Sequence, residues 1–222
     1  MSDATSQTSG SDYFAANYRD YERQNPSRKL DHYLDIIETS IDAKRGDLLD
    51  LGCGLGAFLG RAADRLPDWS LSGTDINVAA VAATQARVPE ADVRLAGADV
   101  SPYPPESFDV ITAWDVIEHV QDLEQVASSV VDMLRPGGLF VFVVPVYDGP
   151  LGKLVRLLDK DPTHVHKLSR SSWVDWASRS FEVRRWHGIF RYLIGGRWYA
   201  HYPTTILRNQ SSAILMVAGK TR

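Results

Sequence analysis

Three glycines and three aspartates in the first half of the chain carry its clearest chemistry. An apolar run over 47–51 leads directly into Gly52-Cys53-Gly54-Leu55-Gly56. Glycines placed just after a strand let the backbone turn tightly and approach a ligand, and the helix that follows offers free N–H groups at its positive end. Asp75 stands about 20 residues further on, at the end of a second apolar strand, where a carboxylate can accept both hydroxyls of a ribose. Asp99 closes a third strand after Leu95-Ala96-Gly97-Ala98, and it suits the amino edge of an adenine with Val100 against the ring. Ile76, next to Asp75, joins the same set. Taken singly, each aspartate also reads as a loop or capping residue; their common spacing favours a site. The glycines are spaced Gly-x-Gly-x-Gly, not Gly-x-Gly-x-x-Gly, and Asp50 precedes them. A carboxylate beside the loop repels pyrophosphate and attracts an α-amino group, so the expected ligand is a nucleoside bearing an amino acid.

A second group lies at the end of the fourth apolar run, Ala113-Trp114-Asp115-Val116-Ile117-Glu118-His119. Ligands sit at the carboxyl ends of parallel strands, which puts Trp114 and Asp115 near the reacting centre. Trp114 reads equally as core packing. His119, His164 and His166 are the candidate catalytic groups, since imidazole can take a proton near neutral pH. In an extended segment His164 and His166 would share one side; loop packing is the alternative for both.

The elements that must position these residues follow from periodicity. Helices are expected over 28–40, 57–66, 78–87, 121–134 and 171–180. Strands are expected over 47–51, 69–74, 92–96, 108–114, 139–144, 181–190 and 213–218. Apolar strands alternating with helices imply a parallel sheet covered on both faces. Residues 1–12 are small and polar and are expected to be disordered, with residues 13–222 forming one domain. Phe14, Tyr18 and Tyr21 share one helical face in a 13–44 segment expected to cover the site, as is the insert 147–170. Tyr18 is a candidate cofactor contact.

Composition narrows the function. The 222 residues carry a formal net charge of −4, which gives no global reason to bind nucleic acid. The single cysteine excludes an internal disulfide, and no apolar run approaches the length of a membrane span, so a cytoplasmic protein without stable membrane insertion, monomeric or homodimeric, is expected. The aromatic tail, with Trp173, Trp176, Trp186, Trp198, Tyr199 and Tyr202, suits a pocket wall or an interface, and Arg191 belongs to a set of arginines that adds local positive charge.

Across 45–145, Asp50-Leu51-Gly52-Cys53-Gly54-Leu55-Gly56, Gly73-Thr74-Asp75, Ala98-Asp99-Val100, Phe108-Asp109-Val110-Ile111 and Leu134-Arg135-Pro136-Gly137-Gly138 together resemble the class I S-adenosylmethionine-dependent methyltransferases, in their small-molecule branch. The resemblance implies a Rossmann-like, doubly wound α/β fold with a seven-stranded, mostly parallel sheet whose last strand is reversed. It implies S-adenosylmethionine as cofactor and S-adenosylhomocysteine as product. Asp50 and the loop backbone would hold the methionine part, Asp75 the ribose and Asp99 the adenine, with Trp114 and Asp115 near the sulfonium methyl. The expected acceptor is a small molecule, methylated on oxygen or nitrogen. A macromolecular acceptor, a silent binder and a polyamine synthase are the alternatives. Asp115, Glu118 and His119 also resemble the acidic-x-x-Glu-His run that binds a divalent metal in ubiquinone-pathway O-methyltransferases and small-RNA 2′-O-methyltransferases. Asp stands here where Glu is usual, and the same letters occur in metal-free relatives; a structural or substrate-contacting role without metal is the expectation, a divalent ion the alternative.

Overall fold

The computed structural model describes residues 21–150, 152–159, 161–194 and 198–221. The expectations for residues 1–12, Phe14 and Tyr18 lie outside them. In chain order the elements are α1 (Tyr21–Gln24), α2 (Ser27–Glu38), β1 (Asp47–Leu51), α3 (Ala57–Arg65), β2 (Ser70–Asp75), α4 (Val78–Arg87), β3 (Asp92–Leu95), β4 (Phe108–Trp114), a 3-10 turn (Ile117–His119), α5 (Leu123–Met133), β5 (Leu134–Pro145), α6 (Gly152–Leu158), α7 (Arg170–Ser180), β6 (Phe181–Ile194), β7 (Trp198–Thr204), a second 3-10 turn (Arg208–Gln210) and β8 (Ala213–Lys220). Helix starts are written in the sequence. The Asn77 side chain accepts the N–H groups of Ala79 and Ala80, Asp122 that of Gln125, and Ser169 that of Ser172.

The strands form one sheet in the order β3-β2-β1-β4-β5-β8-β6-β7. The first five run parallel; β8 is antiparallel to both β5 and β6. The strand order reverses beside β1, which opens a crevice at the carboxyl ends of β1 and β4. Alternate residues feed two cores. Leu48, Val110, Val141, Val143 and Val217 face one layer with α2 and α3, while Leu49, Ile111, Phe140, Phe142 and Met216 face the other with α5 and α7. Burial on both faces is why these strands read as unbroken apolar runs.

The sheet has eight strands, not the seven expected. β6 continues past Phe190 to Ile194, and β7 pairs back on it antiparallel, from Gly188↔Thr204 to Ile194↔Trp198. The aromatic residues of 198–204 read as pocket wall, and that reading hid their β-propensity. Arg135 explains another motif position. Its Nη1 lies 2.8 Å from Asp47 and 2.6 Å from Asp109, and Asp109 also accepts the Asp47 N–H. The Phe108-Asp109 and Arg135-Pro136 motifs therefore pin the far ends of β1, β4 and β5, away from the crevice. No helix among the described residues is long and apolar enough to cross a membrane.

Candidate functional site

The loop after β1 is built on backbone that only glycine adopts freely: φ is 68° at Gly52, 56° at Gly54 and 75° at Gly56. The Cys53 N–H donates to Thr74 O at 2.8 Å, and Thr84 Oγ1 donates to Gly54 O at 2.7 Å, fixing the loop to β2 and α4. The Tyr21 hydroxyl accepts the Ala57 N–H at 3.2 Å and donates to Cys53 O, so the chain before β1 caps α3. A Cβ on Gly52 would stand 2.5 Å from Val116 Cγ2. Gly52→Ala therefore combines a left-handed backbone with a clash and is expected to cost about 2 kcal/mol, a fall in Tm of about 4–8 °C for a chain of this size. A thermal scan checks this; an unchanged Tm contradicts it.

Past the loop, Asp75 lies at the end of β2, buried, accepting the Gly54 N–H at 3.0 Å on one oxygen and the Asn77 N–H at 2.9 Å on the other. Burial raises its carboxyl, and these backbone donors oppose the rise. An ionised carboxylate offers about four lone-pair sites, more than these backbone donors fill, so capacity remains for a ligand hydroxyl. Asp75, Ile76, Gly97, Asp99, Val116 and His119 are among the residues lining a cavity of about 330 Å³. Ile76 is 75% exposed there, an apolar surface awaiting a cover. The Asp99 carboxylate folds over Gly97, where a Cβ would meet Asp99 Oδ1 at 2.5 Å. Val100, half exposed, follows Asp99 but is not part of the wall. A cavity of this volume lined by two carboxylates, Asp75 and Asp99, and by apolar residues such as Ile76 and Val116 fits an adenosine.

Asp50 is buried behind the loop and accepts Thr112 Oγ1 at 2.7 Å. Burial, reinforced by the charge of Asp75, pushes its carboxyl from 3.8 up to about 8, against the Thr112 bond. The folded protein thus holds a proton that the unfolded chain releases, and stability falls as pH rises from 3.8 to about 8. Asp50→Asn keeps an acceptor for Thr112 and removes this loss. The variant is expected to gain on the wild type by a few kcal/mol between pH 5 and pH 8 in urea titrations; parallel curves contradict the assignment. Cys53 contributes its backbone only, because burial pushes its thiol up to about 12 and Thr84 occupies the sulfur.

Beyond the cavity a polar nest joins the 3-10 turn to the segment after α6. Thr163 Oγ1 donates to Asp161 Oδ1 at 2.5 Å and lies 2.9 Å from His119 Nδ1. With its proton committed to Asp161, the hydroxyl accepts from Nδ1–H, which leaves His119 Nε2 unprotonated. Burial, with His164 beside it, lowers the His119 pKa below the ordinary imidazole value. His164 Nδ1 lies 2.9 Å from Asp159 Oδ2, which also takes Tyr147 Oη at 2.5 Å and Lys167 Nζ at 2.9 Å. Burial works against ionisation of Asp159, and these three partners outweigh it, holding it well below the usual carboxylate range. His166 Nε2 donates to Val120 O at 2.8 Å and acts as an anchor. The two histidines therefore part company, because 164–167 is irregular chain and not a strand. Glu118 is wholly buried with both carboxyl oxygens unpartnered among the described residues. Burial, then the charge of Asp115, raises its pKa well above the usual range and keeps it protonated. Ligand atoms of Glu118, His119 and His164 lie within 4.8 Å of one another, a set able to hold a metal ion.

Asp115 is not in that set. It adopts φ 59° just past β4 and pairs with Arg191 of β6. Burial would raise its carboxyl, but Arg191 and then Lys29 outweigh burial and lower it. The metal-capable trio thus takes His164 where the sequence pointed to Asp115, since a guanidinium occupies that carboxylate. Trp114 stacks on Tyr33 at 4.1 Å and meets Phe58 edge-on at 5.1 Å; it packs α2 and α3 onto the sheet and does not line the cavity. Lys29 and Arg191, the partners of Asp115, were not legible as site residues: one sits on an amphipathic helix face, the other in a run of tail arginines.

The comparisons agree with this geometry. A family model described as a methyltransferase domain matches residues 18–181. A probable S-adenosylmethionine-dependent methyltransferase of Mycolicibacterium smegmatis is 38% identical over 65% of this chain and 55% of its own. Nocamycin O-methyltransferase of Saccharothrix syringae is 41% identical over 48% of this chain and 40% of its own. The chain spans about half the length of the curated relatives it matches. The geranyl diphosphate C-methyltransferase of Streptomyces coelicolor, solved with S-adenosyl-L-homocysteine, shares the fold at TM-score 0.65 and 14% identity, covering 88% of this chain and 76% of that one. Glycine loop, buried strand-end aspartate, sheet order and family match together establish that the chain belongs to the class I S-adenosylmethionine-dependent methyltransferases.

Proposed function

We propose that the protein transfers a methyl group from S-adenosylmethionine to a hydroxyl or amine of a small molecule. The observation that carries the reading is Asp75, a buried carboxylate held by the Gly54 and Asn77 N–H groups at the mouth of a nucleoside-sized cavity. Asp75 binds the ribose hydroxyls, Asp99 and Ile76 the adenine, and the glycine loop the α-amino end, with Asp50 behind the loop ionising as the ligand's ammonium arrives. When bound, the cofactor supplies a methyl group already activated as a sulfonium. The chain's remaining task is to place the acceptor in line and remove its proton. His119 Nε2, unprotonated and in the cavity wall, takes that proton; the Asp161–Thr163 pair fixes the tautomer. The negative net charge supports a small molecule over nucleic acid. Nocamycin O-methyltransferase, among the relatives, is named for oxygen methylation.

The test is S-adenosylhomocysteine release from S-adenosylmethionine across a panel of small hydroxyl and amine compounds, with tRNA and a protein extract as macromolecular arms. Release with a small molecule supports the reading. Release only with a macromolecule overturns the acceptor class.

A further inference from the structure

A group of buried polar side chains lies away from the cofactor cavity and is not explained by it. Asp115 and Arg191 form an ion pair at the crevice end of the sheet, and 28% and 18% of their side chains stay accessible. Lys29 approaches from α2, buried, with its ammonium over the rings of Tyr33 and Tyr199 at 5.7 and 5.3 Å; it donates to Gln24 O at 3.1 Å and Asn25 Oδ1 at 3.2 Å, which leaves one of its three N–H groups for a ligand. Around these charges stand polar atoms with no partner among the described residues: Tyr33 Oη, Trp114 Nε1, both ring nitrogens of His201, and His32 Nε2. The rings are contiguous, His201 lying 5.5 Å from Tyr33 and 5.8 Å from His32. Buried polar groups in native proteins are almost always satisfied, so five such atoms together mark a place for a ligand or bound water.

The sign of the site follows from its groups. Lys29 and Arg191 contribute two positive charges and Asp115 one negative. Burial pushes the His201 imidazole down to about 3 and lowers His32, so both are neutral, and it lowers Lys29 to about 8, which leaves the ammonium protonated at neutral pH. Asp31, on the same helix as Lys29, turns to Arg61 and Arg65, and Asp35 to Arg65. One positive charge is left over among groups rich in hydrogen-bond donors. That excess matches a carboxylate monoanion better than a phosphate ester, whose second charge would be uncompensated.

We propose that Lys29 and Arg191, with Tyr33 and Trp114 beside them, bind a carboxylate carried by the methyl acceptor. The inference rests on the methyltransferase reading and extends it to the acceptor's class. The Tyr199 ring, part-buried beside Lys29, supplies an aromatic surface for an unsaturated acid. The other possible source of a carboxylate is the methionine end of the cofactor. The cavity lined by Gly52, Asp75 and Asp99 includes none of Lys29, Arg191, Tyr33 and His201, so these groups lie outside the adenosine part of the site.

The test is calorimetric titration of the full chain saturated with S-adenosylhomocysteine, using cinnamate and phenylacetate, each against its primary amide. At least one acid is expected to bind at least tenfold more tightly than its amide, a loss typical of a charge-assisted hydrogen bond. Lys29→Met is expected to remove this preference and Lys29→Arg to retain much of it, with S-adenosylhomocysteine affinity unchanged in both and folding checked by thermal scan. Acids and amides binding alike, or no acid binding to the wild-type complex, overturns the proposal. If Lys29→Met weakens S-adenosylhomocysteine but not 5′-methylthioadenosine, which lacks the amino-acid tail, the carboxylate belongs to the cofactor and the proposal fails. Absence of S-adenosylhomocysteine binding to the wild type is a different failure, that of the cofactor reading itself.

Discussion

Asp75→Ala is expected to weaken S-adenosylhomocysteine binding by about a hundredfold or more, because hydrogen bonds to a charged group are worth about 1.5–3 kcal/mol each and two ribose hydroxyls lose theirs. The carboxylate also organises the site, receiving the Gly54 N–H across the loop and the Asn77 N–H at the start of α4. Part of the loss therefore comes from the loop. A ligand cycle separates the parts. The 2′-deoxy analogue of S-adenosylhomocysteine is expected to bind the wild type more weakly than the parent, but to bind Asp75→Ala about as well as the parent does. Equal further losses in both proteins would place the ribose elsewhere.

The second large effect belongs to His119. General-base catalysis contributes about 10²–10⁴ in rate, so His119→Ala is expected to lower kcat within that range while leaving S-adenosylhomocysteine affinity intact. The base must be neutral to act. Burial and His164 lower its pKa, so activity rises with pH through a midpoint below the ordinary imidazole value and stays flat above it. Thr163→Val removes the tautomer lock and is expected to lower kcat less and to shift that midpoint. EDTA separates the base from a metal-ligand role for Glu118, His119 and His164. Undiminished turnover in EDTA supports the base, and turnover abolished by EDTA and restored by Mg²⁺ contradicts it.

What was legible in the sequence was what is local. The strand, glycine turn and helix around Asp50 and Gly54 lie within one short segment, Asp75 ends β2, and Asp99 lies in the turn that follows β3. Each of these aspartates owes its position to the parallel sheet, so strand spacing alone was enough to locate them. Asp115 shows the opposite. Its type and place were readable, but its partner Arg191 comes from a strand 76 positions later and Lys29 from a helix before the sheet. No spacing rule joins three such elements. Trp114 left core and site readings open, and its stack on Tyr33 is a contact between β4 and α2 that only packing decides. β7 was hidden for a similar reason: its aromatic residues serve a strand and a pocket wall equally well. The lock on His119 depends on which atom donates, a matter of geometry that letters do not carry.

The most direct measurement is a calorimetric titration of the purified chain with S-adenosylhomocysteine. One site with a low-micromolar Kd is expected, lost in Asp75→Ala, whose fold is intact by circular dichroism. A folded wild-type protein that binds neither S-adenosylhomocysteine nor S-adenosylmethionine would contradict it.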